Sequence, residues 1–118
     1  MSLRTRVDSK LAYGRFVNRV KTTKVVWFLL DVEENYPSCC DSNNEETSVV
    51  PFWSDRAYAK RAMSKFRFET KVDSIQLENF IDHTLPHLMD RGFKIGPNWD
   101  LNLAGLEIEP SELFSFFE

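Results

Sequence analysis

The chain has 118 residues, 42% of them hydrophobic and 28% charged, and a formal charge of −3. That length fits one domain with a core large enough to need no covalent staples. The mild acidity argues against a broad phosphate-binding surface, so no nucleic acid is expected as partner, and no run reaches the roughly 18 apolar residues of a membrane span.

Basic residues concentrate early, at Arg4, Arg6, Lys10, Arg15, Arg19, Lys21 and Lys24. They read as a solvated helix face, because the rest of the chain lacks a basic excess. Residues 1–7 are expected to be a flexible N-terminus and 8–118 a single α+β domain. Tyr13, Phe16, Val17 and Val20 recur at i, i+3, i+4 and i+7. This spacing predicts an amphipathic helix, capped at Asp8 or Ser9. The β-branched and aromatic run KVVWFLLDV that follows predicts a buried strand carrying Trp27.

YPSCCDSNNEE then breaks the pattern with Pro, Ser, Asn and Asp, a loop by composition. TSVVPFW predicts a second strand, most economically a hairpin with the first, with Pro51 at a strand end or sheet edge. Ser54 is the expected cap of a short helix over DRAYAKRAM. KFRFETKV alternates Phe66, Phe68, Thr70 and Val72 with charged residues, the mark of a half-buried strand. SIQLENFIDHTLPHLMDRG predicts a helix distorted by Pro86 and stopped by Gly92. FKIGPNW and LAGLEIEP predict two short strands around an Asn/Asp turn, and Pro110 opens a last helix. The order α-β-β-α-β-α-β-β-α with its hairpins predicts a mainly antiparallel sheet packed with α-helices, an α+β domain.

Few residues in this chain look like chemistry. Cys39 and Cys40 lie in the loop, and His83 and His87 stand one helical turn apart. A helical wheel at about 100° per residue puts Leu77, Ile81, Thr84, Leu85 and Leu88 on the core face and both histidines on the polar side. Adjacent cysteines rarely both ligate one ion, and no Cys-x-x-Cys spacing supports a metal centre. Neither a metal, a cofactor nor a catalytic residue is therefore assigned. A small metal- or thiol-dependent protein or enzyme using Cys39, Cys40, His83 and His87 is the alternative. Glu107 and Glu109 share one expected strand face, and such carboxylates are usually solvated. The basic N-terminal stretch has no apolar segment behind it, so no signal peptide is expected. Two cysteines in that context suggest reduced thiols in a cytoplasm.

The aromatic constellation is more distinctive. Trp53 ends a strand, and Asn98, Trp99 and Asp100 form a turn. An exposed Trp beside an amide and a carboxylate can grip a ligand, because its ring offers rigid apolar area plus one N–H donor; the alternative is that Trp27, Trp53 and Trp99 all cap one hydrophobic core. Trp53, Asn98, Trp99, Asp100 and Glu107 are the candidate binding residues. Trp99→Ala is expected to leave the fold intact while abolishing partner capture.

Three stretches resemble the bacterial domain-of-unknown-function family 2750: YGRFVNRVKTTKVVWFL, VVPFWSDRAYA and IQLENFIDHTLPHLMDRGFKIGPNWDLNLAGLEIEPSEL. The last is the most specific, through Asn98-Trp99-Asp100 and Gly105-Leu106-Glu107. The resemblance spans roughly residues 8–115 and departs from the commoner pattern between Asp31 and Thr47. It implies a small, cytoplasmic, bacterial, single-domain protein and carries no catalytic residues over. The reading is a non-enzymatic binding or interaction module, with a protein partner or a homodimer formed by edge-strand pairing.

Overall fold

The computed structural model describes residues 3–40 and 48–117, and side chains over 8–38 and 48–117. Residues 1–2, 41–47 and 118 and the side chains of residues 3–7, Cys39 and Cys40 lie outside the described residues, and the loop expected around Cys39 and Cys40 falls in part on them.

Helix α1 (Leu3–Thr23) starts before the expected cap. Its Phe16, Val17 and Val20 are buried as the spacing predicts. Lys24, at φ 62°, ends the helix in the left-handed region, and its N–H donates to the Val20 carbonyl at 2.8 Å. That single bond closes the last turn and turns the chain into β1 (Val25–Asp31).

Strand β1 is buried on both faces, which is why it reads as a continuous apolar run. Val26 and Phe28 enter the main core with Phe16, Phe52, Phe80 and Leu113. Leu29 enters a second cluster with Trp53, Ala59 and Ala62. Its ladder partner is β4 (Thr70–Gln76), antiparallel from Val25 opposite Gln76 to Asp31 opposite Thr70.

The expected hairpin of the first two strands is therefore reduced to one bridge. Trp27 and Trp53 exchange both main-chain hydrogen bonds at 2.8 Å. Strand β3 (Ser48–Phe52) instead pairs antiparallel with the two-residue β2 (Cys39–Cys40) and parallel with β5 (Lys94–Pro97). Pro51 sits inside β3, not at its end. Its nitrogen shares the side of Trp53's N–H, in the gap between the β2 pairing and the Trp27 bridge, so it costs no ladder bond.

Helix α2 (Arg56–Ala62) takes Asp55 as its N-cap, one residue past the expected Ser54. A 3-10 turn, Met63–Lys65, follows. The strand expected from Phe66 begins only at Thr70 and runs on to Gln76, into residues expected to be helical. Cross-strand packing decides this: Val72 lies opposite Leu29 and Ile75 opposite Val26.

The next helix comes in three pieces: α3 (Leu77–Asn79), a π-helical turn (Phe80–Thr84) and α4 (Leu85–Asp90). Pro86 lacks an N–H and its ring crowds the carbonyl one turn earlier, at Asp82. The widened turn absorbs that clash. Gly92, at φ 71°, ends α4 with Gly92 N–H to Met89 O at 3.1 Å and Phe93 N–H to Leu88 O at 2.9 Å. Ile108 forms a single bridge with Ile95 in place of the second expected strand, and α5 (Pro110–Phe117) closes the fold. The class is α+β, with one parallel strand pair among antiparallel ones.

A cleft beside the Trp99 turn as candidate functional site

Residues 96–105 fold around one indole. A Cβ on Gly96 would lie 2.3 Å from Trp99 Cε2, and one on Gly105 would lie 2.5 Å from Trp99 Cδ1. Both glycines are thus required by close approach rather than by a turn. Trp99 Nε1 donates to the Leu106 carbonyl at 2.7 Å. Trp53 Nε1 donates to the Trp99 carbonyl at 2.9 Å. Trp53 is 0% exposed and Trp99 6%. Neither ring is the exposed gripping surface expected from the sequence. Their polar neighbours suggested a wet turn, but both N–H donors find carbonyls inside, which permits burial.

Asn98 is a tether. At φ 47° it turns the chain, and its Oδ1 accepts the Ser54 N–H at 2.8 Å. Its Nδ2 donates to Ser54 Oγ at 3.0 Å and to the Ala12 carbonyl of α1 at 3.4 Å. Asp100 builds the following loop: its Oδ1 accepts the N–H groups of Asn102 at 2.8 Å and Ala104 at 3.2 Å. Glu107 is half-buried and does not line the cleft described next.

Above this turn lies a cleft of about 220 Å³ between α1 and α2. Asn98 and Trp99 border it on one side. Arg15 comes from α1, Tyr58 and Arg61 come from α2, and Leu101 lines it from the loop. The Arg61 guanidinium stands 5.2 Å from the Tyr58 ring centroid, a cation–π pair that orients it. Two arginines and one carboxylate, Asp100, thus line the same cleft, and one oxygen of that carboxylate is already engaged. Arg15 and Arg61 were not among the expected binding residues. The basic spacing of α1 was visible in the sequence, but its convergence with α2 is tertiary.

Behind the cleft, Arg19 and Asp55 join α1 to the start of α2 at 2.8 Å. Partial burial works to raise the Asp55 pKa. Hydrogen bonds from Arg19 and Ser54, and the charges of Arg19 and Arg15, outweigh it and hold that carboxyl below its usual range.

The alternative chemistry gains no geometry. His83 and His87 are exposed on the π turn and α4. Among the described residues, no group of three or more His, Cys, Asp or Glu could hold a metal ion. A second hollow, lined by Asp31, Glu33, Glu34 and Glu69, is acidic. Its carboxylates are partly engaged. Asp31 Oδ1 accepts the N–H groups of Glu33 and Asn35 at 2.9 and 3.0 Å, and Glu34 pairs with Lys71 at 3.2 Å.

Among known families, residues 13–116 match the one described as Protein of unknown function (DUF2750). The chain belongs to that family. The matched span holds Arg15, Tyr58, Arg61 and the whole 98–101 turn, so the cleft is built almost entirely from DUF2750 sequence. Comparison with curated proteins and with solved structures returned no match. No helix among the described residues is long and apolar enough to cross a membrane.

Proposed function

We propose that this DUF2750 protein is a non-enzymatic interaction module whose cleft anchors an acidic side chain of a protein partner. One observation carries the reading: Arg15 and Arg61, from two different helices, converge on a single cleft bordered by the buried Asn98–Trp99 turn. Planar guanidiniums match carboxylate geometry, and a rigid floor lowers the ordering cost of binding.

Size favours a side chain over a metabolite. Small-molecule pockets run to about 300–1,000 Å³, and this cleft holds about 220 Å³. That volume suits one Asp or Glu side chain with its neighbouring backbone. A bacterial cytoplasm, suggested by the family resemblance and by the cysteine usage, is part of the same proposal.

The test is an amide NMR titration with two short peptides of equal length, one Glu-rich and one Lys-rich. The Glu-rich peptide is expected to shift Arg15, Tyr58, Arg61 and Leu101, less so at high salt. Arg15→Ala with Arg61→Ala is expected to abolish those shifts while leaving the spectrum of a folded protein. Equal response to both peptides, or shifts that survive the double variant, would overturn the assignment.

A further inference from the structure

Strand β4 is a sheet edge. Among the described residues it pairs only with β1, over seven consecutive positions without a bulge. It contains no proline or glycine to blunt that edge.

Its outward main-chain groups can be assigned by alternation. Trp27 spends its N–H and C=O on Trp53. Val26, Phe28 and Leu30 therefore turn theirs toward β4, and their partners Ile75, Asp73 and Lys71 return them. The main-chain groups of Thr70, Val72, Ser74 and Gln76 point away from β1. Ser74 bears this out: its N–H is held by its neighbour's carboxylate, Asp73 Oδ1, at 2.8 Å instead of by β1.

We infer that this edge pairs with the β4 edge of a second copy of the chain, antiparallel and centred on Val72. A two-fold axis normal to the sheet keeps like residues on one face, so facing residues must share parity. Centring on Lys71 puts Lys71 against Lys71 and Glu69 against Asp73. Centring on Asp73 puts Asp73 against Asp73. Like charges directly opposite are destabilising. Centring on Val72 puts Lys71 of each copy against Asp73 of the other. Thr70 then faces Ser74, so the outward main-chain groups of both strands bond each other.

The monomer already holds the parts of this exchange. Lys71 and Asp73 are both exposed. Among the described residues Lys71 pairs with Glu34, at 3.2 Å through two largely exposed side chains, and such pairs hold weakly. On pairing, the Thr70 carbonyl of the second copy takes the Ser74 N–H, and Asp73 is released to meet Lys71. Phe68, 51% exposed in the bend just before the strand, then lies at the end of the pairing that carries the half-buried Ile75 of the other copy. This proposal is independent of the cleft, and neither test bears on the other.

Sedimentation equilibrium of the full chain over a concentration series tests it. The wild type is expected to dimerise. Lys71→Asp alone and Asp73→Lys alone each create two like-charge contacts and are expected to weaken the dimer about tenfold or more. Mixing those two variants restores opposite charges at both contacts, so a heterodimer of near wild-type strength is expected. Circular dichroism checks that each variant is folded. A wild type that stays monomeric at the highest concentration would overturn the inference. So would a dimer indifferent to both substitutions, or variants that fail to pair with each other, which would point to another surface or another protein's strand at this edge.

Discussion

The Trp53 indole N–H donates to the main-chain carbonyl of Trp99 at 2.9 Å, in a fully buried setting. One tryptophan thereby fixes the backbone of the other. Through the Trp27–Trp53 bridge, the same contact ties the 98–101 turn to the central strand β1. The cleft is bordered by a turn that the core holds in place. Trp53→Phe keeps most of the apolar volume and deletes the donor. It leaves the Trp99 carbonyl buried and unpaired, at a cost of about 1–3 kcal/mol. Urea denaturation is expected to show a lower midpoint with an unchanged slope.

The glycine pair around Trp99 gives a sharper test. Gly96→Ala drives a methyl into the ring, and overpacking of this kind costs about 1–3 kcal/mol. Trp99→Ala empties the site at about 3–5 kcal/mol, the opposite of the neutral outcome expected for a surface ring. In the double variant the new methyl enters vacated space, so the two costs are expected not to add. A double-mutant cycle in urea checks this, and strict additivity would separate Gly96 from the ring.

Periodicity made some of this fold legible. The buried face of α1 at Phe16, Val17 and Val20, the apolar run of β1 and the distortion at Pro86 all follow from local pattern. Strand partners did not. β1 chose β4 over β3 because Leu29 opposite Val72 and Val26 opposite Ile75 complete two core faces at once, which no short window of sequence reports. Trp99 misled for a related reason. Asn98 and Asp100 are turn residues, and turns are usually wet. Burial of the ring depends on Gly96 and Gly105 closing on both sides of it. Arg15 and Arg61 become neighbours only after α1 and α2 pack.

Asn98 combines backbone strain with three side-chain hydrogen bonds, and the two can be separated. Asn98→Ala loses the side-chain contacts to Ser54 and Ala12 and keeps the left-handed backbone that a Cβ disfavours. Asn98→Gly loses the same contacts but relieves the backbone. Both are expected to destabilise, with glycine the milder by about 1 kcal/mol. Thermal melts of the two variants measure that difference. Equal losses would mean the strain at this position is negligible.

The depressed pKa of Asp55 predicts how acid acts on the fold. Its folded pKa lies below the unfolded one, so the folded state binds this proton less readily. The contribution is full above the unfolded carboxylate range, near pH 4, and fades as pH falls through the folded pKa. Asp55→Asn is expected to be less stable than wild type at neutral pH and to show a flatter decline under acid. High salt narrows the gap, because Arg19 is about half exposed. Arg15 gives this titration a link to the cleft, since its charge also lowers the Asp55 pKa. A carboxylate seated between Arg15 and Arg61 draws on that charge, so binding is expected to move the Asp55 pKa upward. Carboxyl-carbon NMR titration with and without the Glu-rich peptide reads the shift directly. Linkage then requires the peptide to bind more tightly when Asp55 is protonated, and an unmoved Asp55 would place the peptide away from Arg15.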